Sequence, residues 1–307
     1  MDIAIIGAGS LGSVIGGLLA RDHDVTLVGR EEHMAAVETA GLQLVGQVER
    51  TVEPTVRTDL DGLTADLGLV TVKSYDTPTV AEQLTAASID TVISLQNGMG
   101  NESILHGAIG DAATVLAGTA TYGARKRTPG VVAVTGIGTI AVGPREPTDG
   151  PAADRARTVA RALNTSDLSC RYVGKMQRRL WVKLAINAGI NPVTAMADCR
   201  NGALVNGPAR EIAIDAATET AAVARANGID LADETVRLEL ATVIENTAHN
   251  RSSMAVDCSN GRRTEIDAIN GYVAEHATAA TGAPVNRTLW TLVRTWEYVR
   301  GLRSEPT

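Results

Sequence analysis

Asp2-Ile3-Ala4-Ile5-Ile6-Gly7-Ala8-Gly9-Ser10-Leu11-Gly12 decides the reading of the first half of the chain. The first five residues suit a buried strand, and Leu11, Val14, Ile15 and Leu18 then recur at helical spacing. Between strand and helix stands a G-x-G-x-x-G. Gly7 permits the tight turn, Gly9 lets the backbone approach a pyrophosphate, and Gly12 allows close strand–helix packing. The N–H groups at the helix start, around Ser10 and Leu11, are then presented to an anion. Many glycine turns are only structural, but this one joins a buried strand to an amphipathic helix, which makes it a dinucleotide site.

Working outward, residues 23–28 give the second strand of a βαβ unit, and a helix over 34–40 stops at Gly41. Residues 42–56 alternate like a hairpin or a pair of outer strands. Apolar runs at 67–72, 91–95 and 115–121 suit buried parallel strands, whose carboxyl ends gather ligands. Residues 131–142, around Gly136 and Gly138, predict a late antiparallel pair, 144–151 a turn, 154–163 a helix and 170–173 a last strand. From there to Leu302 the pattern is helical almost throughout. Segments at 177–190, 208–227, 232–247 and 265–281 each carry one apolar face, and Asn191-Pro192 reads as the cap and first residue of a new helix. The expected class is α/β, with a Rossmann-type domain over residues 1–173 and an all-helical domain over 174–307.

A chain of 307 residues fits two such domains. Aromatic residues make up only 3% of it and Phe is absent, so Ala, Val, Leu and Ile must fill the cores. The net charge of -7 leaves no broad basic field for nucleic acid. Cys170, Cys199 and Cys258 are too far apart for a C-x-x-C metal site and odd in number, which disfavours a disulfide framework and fits a reducing cytoplasm. No apolar run approaches a membrane span, and no targeting segment is expected.

NAD-preferring sites place a carboxylate at the end of the second strand, where it meets the ribose hydroxyls. Here that strand ends in Val28-Gly29-Arg30. A guanidinium there meets a 2′-phosphate, so Arg30 favours NADPH, with Glu31 and Glu32 beside it as opposing charges. Lys73-Ser74-Tyr75 and Gln96-Asn97-Gly98 follow two of the expected strands, at the edge where a cofactor would lie; both also read as ordinary turns.

In the second half, Lys183 and Asn187 are four apart and share a helix face, with Asn191 continuing the stripe. Apolar residues crowd it on both sides, and a thin polar stripe in a hydrophobic segment invites a ligand. The other candidate is Asn250-Arg251-Ser252-Ser253-Met254 with Thr264-Glu265-Ile266-Asp267. Capping and the helix dipole alone would account for Ser252 or Ser253 and for Glu265 and Asp267. Spacing does not bring Glu265 to Lys183.

Taken together, Gly7–Gly12, Arg30, Val72-Lys73-Ser74-Tyr75-Asp76-Thr77, Gln96-Asn97-Gly98, Lys183 with Asn187 and Asn191-Pro192-Val193-Thr194-Ala195, Asn201-Gly202, Ser252-Ser253-Met254 and Thr264-Glu265-Ile266-Asp267 resemble the ketopantoate reductase family. The similarity runs from residue 1 to about residue 296. It implies an N-terminal Rossmann domain, a C-terminal helical domain like that of 6-phosphogluconate dehydrogenase, and NADPH-dependent reduction of 2-dehydropantoate to (R)-pantoate on the route to coenzyme A. By motif it makes Lys183 the general acid and Glu265 the carboxylate that binds substrate and helps hold the lysine. Asn187, Asn191, Asn250, Ser253 and Asn97 become substrate contacts. Gly7, Gly9, Ser10, Leu11, Gly12, Arg30, Lys73, Asn97 and Glu265 face the NADPH. One departure is Val134, where many members carry a His before the glycine-containing turn.

In the chemistry this implies, hydride reaches the 2-oxo carbon and negative charge builds on the carbonyl oxygen. A protonated lysine, with an ordinary pKa of ~10.4, stabilises that charge and supplies the proton without a metal. The alternatives are a reductase of another branched 2-oxo acid on the same fold, and a non-catalytic NADPH-binding sensor, which has no need of the Lys183–Glu265 constellation. Two domains imply a cleft with hinge closure by analogy, and the apolar helices of the second half leave room for a homodimer interface.

Overall fold

The computed structural model describes residues 1–146, 149–165 and 167–304; Pro147 and Thr148 of the expected 144–151 turn lie outside them. The chain divides into two compact units. One comprises residues 1–96 and 101–176, the other residues 97–100 and 177–307.

The strands of the first unit are β1 (Asp2–Ile6), β2 (Asp24–Val28), β3 (Leu42–Gly46), β4 (Arg50–Val52), β5 (Thr55–Arg57), β6 (Thr64–Val70), β7 (Ser88–Ser94), β8 (Thr114–Ala120), β9 (Gly123–Thr128), β10 (Val131–Gly136), β11 (Ile140–Pro144) and β12 (Cys170–Tyr172). Eight form one sheet in the order β12-β11-β8-β7-β6-β1-β2-β5. From β5 to β8 every pairing is parallel, and only β11 runs against its neighbour β8. This is a doubly wound Rossmann sheet. The chain leaves β1 for β2 on one side and later crosses to β6 on the other, so the order reverses at β1, whose carboxyl end carries the glycine motif. Such a switch point is where open α/β sheets bind ligands.

Strand periodicity explains the burial. Ile3 and Ile5 enter one apolar layer with Val14, Ile15, Leu18 and Leu27, while Ala4 and Ile6 enter another with Val70, Leu84, Val92 and Leu105. A parallel strand covered on both faces reads as a continuous apolar run rather than an alternating one.

The structure meets one of the two later strand expectations and corrects the other. Residues 42–56 do contain a hairpin, β3 with β4, but in a second sheet ordered β4-β3-β10-β9, while β5 is the outer strand of the main sheet beside β2. Residues 131–142 are not an antiparallel pair, because β10 pairs with β9 and β3, and β11 with β8 and β12. Alternation specifies a strand's faces but not its partner. The helix expected over 34–40 begins earlier, as Glu31–Ala40, with Glu31 and Glu32 in its first turn, where carboxylates complement the helix dipole.

In the second unit, Met176–Met196 is one unbroken helix with Pro192 inside it, so Asn191 is not a cap but a buried interior residue. Proline lacks the N–H that would bond the carbonyl of Ala188. Asn270 replaces it: its Nδ2 donates to the Ala188 oxygen at 3.1 Å and to Asn286 Oδ1 at 2.9 Å. Asn286 in turn donates to the Ala216 carbonyl at 2.9 Å and the Glu219 carboxylate at 2.9 Å. A proline that sequence alone reads as a helix start is thus tolerated mid-helix through a side chain 78 residues away in a different segment.

The expected helix over 265–281 is a π-helical turn at Asp267–Gly271 followed by α-helix Tyr272–His276. Further helices run Arg210–Ala226, Asp233–Asn246, Ser253–Ser259 and Pro284–Tyr298. No helix among the described residues is long and apolar enough to cross a membrane.

Candidate active site

Gly7 follows β1 with a φ of 102°, a conformation that L side chains rarely adopt, and a Cβ there would stand 2.5 Å from Val72 Cγ1. The turn is tied to β2: the N–H groups of Gly7 and Ala8 both donate to the Val28 carbonyl, at 3.0 and 2.8 Å. A Cβ on Gly12 would meet Gly7 O and Thr71 Oγ1, each at 2.5 Å, so the helix Ser10–Leu19 approaches the strands as closely as a bare backbone permits. Gly9 differs. Its φ is −86°, and a Cβ on it would find no protein atom nearer than Gly7 O at 3.8 Å. The fold therefore leaves open space beside Gly9, at the point where a pyrophosphate would approach the backbone.

The helix that starts there has no acidic residue in its first turn, and the N–H groups of Ser10, Leu11 and Gly12 precede the first intrahelical bond, Ser13 N–H to Gly9 O at 3.1 Å. These groups fit a dinucleotide phosphate. Arg30 caps Glu31–Ala40 at the end of β2, with its guanidinium exposed. Lys73, half-buried, precedes the short 3-10 turn Ser74–Asp76 beyond β6.

His33 is a residue that sequence reading did not single out. Its ring is buried, Nδ1 accepts from the Gly130 N–H at 2.9 Å, and Nε2 lies 3.0 Å from Ser13 Oγ. Accepting at Nδ1 places the proton on Nε2, so the neutral ring joins the glycine-motif helix, the Arg30 helix and the β9–β10 turn. Burial, aided by the charge of Lys126, holds its pKa below the ordinary histidine value. A lowered pKa contributes stability that is complete above about pH 6.5 and fades as the pH falls through the folded-state value. Thermal melting of the protein is therefore expected to fall more steeply between pH 7.5 and 5 than that of His33→Gln; parallel curves would show that His33 does not titrate there.

In the second unit, Lys183, Asn187 and Asn191 succeed one another along Met176–Met196, the first two half-buried and Asn191 buried. Glu265 is buried, and Asn97 Nδ2 donates to its Oε2 at 3.2 Å. The Asn97-Gly98 turn makes that contact possible. Gly98 has a φ of 82°, a Cβ on it would strike Ala268 at 2.5 Å, and the next N–H, of Met99, donates to the Ala268 carbonyl at 3.0 Å. Segment 265–272 is also fastened to the lysine helix by Asn270 on Ala188 and by a T-shaped contact between Tyr272 and Trp181, with ring centroids 5.9 Å apart. The structure thus brings Glu265 to Asn97, and the segment that carries Glu265 to the helix that carries Lys183.

Asn250 and Ser253 are exposed and lie on either side of the buried Ser252. Ser252 is the cap of Ser253–Ser259: its Oγ accepts from the Ala255 N–H at 3.1 Å and from Thr194 Oγ1 at 2.7 Å. Asn201 acts on the same loop. Its N–H donates to the Asn250 carbonyl at 3.0 Å and its amide to Thr247 Oγ1 at 2.8 Å. Val134, the departure from the family pattern, is a core residue of β10.

Two family models match this chain: that of ketopantoate reductase PanE/ApbA over residues 3–147, and its C-terminal counterpart over residues 175–297. The 2-dehydropantoate 2-reductase of Halobacterium salinarum is 40% identical over 302 residues, covering 96% of this chain and 98% of its own. The crystal structure of a PanE/ApbA family ketopantoate reductase from Ralstonia eutropha superposes with a TM-score of 0.87 at 32% identity, over 98% of this chain and 100% of its own. The complex of D-mandelate dehydrogenase with NADH does so with a TM-score of 0.86 at 25% identity, over 97% and 99%. From its glycine turn to its helical second unit, the chain belongs to the ketopantoate reductase family.

Proposed function

We propose that the protein is a 2-dehydropantoate 2-reductase, reducing 2-dehydropantoate to (R)-pantoate with NADPH. The observation that carries this is identity of 40% along nearly the whole of both chains with a relative of that name. Residues 1–173 are assigned to cofactor binding and 174–307 to substrate and catalysis. Gly7, Gly9, Ser10, Leu11 and Gly12 hold the pyrophosphate, Arg30 the 2′-phosphate, and Lys73, Asn97 and Glu265 the rest of the nicotinamide nucleotide. When bound, that nucleotide supplies the hydride for the 2-oxo carbon.

The chain's own part is to bind, orient and protonate. Lys183 faces the carbonyl oxygen with its ammonium, offsets the charge that develops there and delivers the proton. Glu265, with Asn97 on its Oε2, keeps the ammonium oriented and takes part in binding substrate. Asn187, Asn191, Asn250 and Ser253 supply the hydrogen bonds for the carboxylate and hydroxyl of the substrate.

The test is the loss of NADPH absorbance at 340 nm with 2-dehydropantoate, beside 2-oxoisovalerate and NADH controls. Loss confined to NADPH with 2-dehydropantoate supports the reading. Faster turnover of 2-oxoisovalerate would point to another branched 2-oxo acid, and tight NADPH binding without consumption to a sensor. For the cofactor choice, Arg30→Ala is expected to raise the KM for NADPH about tenfold or more, the worth of one charged hydrogen bond, and to leave that for NADH nearly unchanged. Equal effects on the two would remove Arg30 from the 2′-phosphate.

A further inference from the structure

The segment that carries Glu265 is gripped from behind by groups with no place in the reaction described above. Glu297, on helix Pro284–Tyr298, is fully buried, and its Oε1 accepts both the N–H and the O–H of Thr264, each at 2.7 Å. Its other oxygen accepts from Arg303 Nε at 2.7 Å. The same guanidinium reaches Asp267 Oδ2 at 2.7 Å, and Asp267 Oδ1 accepts the Trp290 indole N–H at 2.8 Å. Inside this grip, the Ile266 N–H donates to Thr264 Oγ1 at 3.2 Å. Thr264, Ile266 and Asp267 are thus all fixed, and only the side chain of Glu265 is left to face its partners.

We propose that Arg303 and Glu297 are positioning residues for Glu265. Their fork clamps residues 264–267 so that the Glu265 carboxylate stays where Asn97 meets it. Burying Glu297 is costly unless its charge is paired, and two donors from Thr264 on Oε1 with the Arg303 guanidinium on Oε2 satisfy it. A surface ion pair would hold nothing; Arg303, whose side chain is only 9% exposed, is inside the structure. It also lies beyond residue 297, where the family match ends.

The proposal rests on the role assigned to Glu265, so the experiment is a cycle of Arg303→Ala, Glu265→Gln and the double variant, each assayed with 2-dehydropantoate and titrated with NADPH. If Arg303 acts through Glu265, R303A lowers kcat/KM about tenfold or more, but costs less than about twofold in the E265Q background, since coupled residues are not additive. Arg303→Lys should recover part of the loss, because an ammonium cannot serve both carboxylates with a planar fork. An R303A protein that melts at a lower temperature yet keeps its kcat and KM overturns the proposal, as do losses that multiply in full. Wild-type rates in E265Q instead sink the assignment of Glu265 itself, an outcome recognised in that variant alone. Should R303A not fold, Thr264→Val removes one donor to Glu297 while leaving both ion pairs, and the same two results decide.

Discussion

Lys183→Ala is expected to lower turnover by about 100-fold or more, the usual worth of a general acid, while the dissociation constant for NADPH changes little. The two readouts separate because the groups proposed to hold the cofactor phosphates lie in the Rossmann unit, whereas Lys183 lies on Met176–Met196. Lys183→Arg sharpens the test. A guanidinium keeps the positive charge but does not give up its proton, so charge stabilisation alone would survive in Arg and proton delivery would not. The expected order is therefore wild type far above Arg, with Arg at or modestly above Ala. Near-normal turnover in Lys183→Ala would remove the residue from the chemistry, and full activity in Lys183→Arg would leave it as an electrostatic group only.

What was legible in the sequence was the part governed by local rules. The glycine turn, the parallel strands β1, β2, β6, β7 and β8, and the stop of Glu31–Ala40 at Gly41 follow from period, turn chemistry and the requirement that a doubly covered sheet be apolar on both faces. Less legible was whatever depends on a distant partner. Nothing local to Asn191-Pro192 announces that Asn270 will take over the Ala188 carbonyl, so helix rules read a start where there is an interior. The pairing of β10 with β3, and of β11 with β8, likewise rests on long-range packing that alternation cannot report.

The site divides the same way. Lys183, Asn187 and Asn191 form a stripe because they share one helix, and that much is spacing. Glu265 meets Asn97 across 168 residues only because the Gly98 turn packs on Ala268, which no window of sequence contains. The cap of Ser253–Ser259 was narrowed to two serines by sequence, and the geometry selects Ser252. His33, a core histidine by its surroundings, gave no pattern to find.

The glycines of the first turn provide the other large effect, through opposite outcomes at two positions three residues apart. In Gly12→Ala the new methyl carbon would stand 2.5 Å from both Gly7 O and Thr71 Oγ1, so Ser10–Leu19 must move off the sheet. Overpacking of this kind costs about 1–3 kcal/mol, and the melting temperature should drop by several degrees. In Gly9→Ala the methyl meets nothing in the protein closer than 3.8 Å, so no overpacking follows and the melting loss should stay well below that of Gly12→Ala. The methyl would instead occupy the space reserved for the pyrophosphate and push it away from the N–H groups of the helix start. Losing one or two charge-assisted hydrogen bonds of about 1.5–3 kcal/mol each weakens NADPH binding by about 10- to 100-fold or more. Thermal melts and NADPH titrations on the two variants thus form a crossed pair. Unchanged NADPH affinity in Gly9→Ala would move the phosphates away from this turn, and a melting loss matching that of Gly12→Ala would make Gly9 a packing glycine like its neighbour.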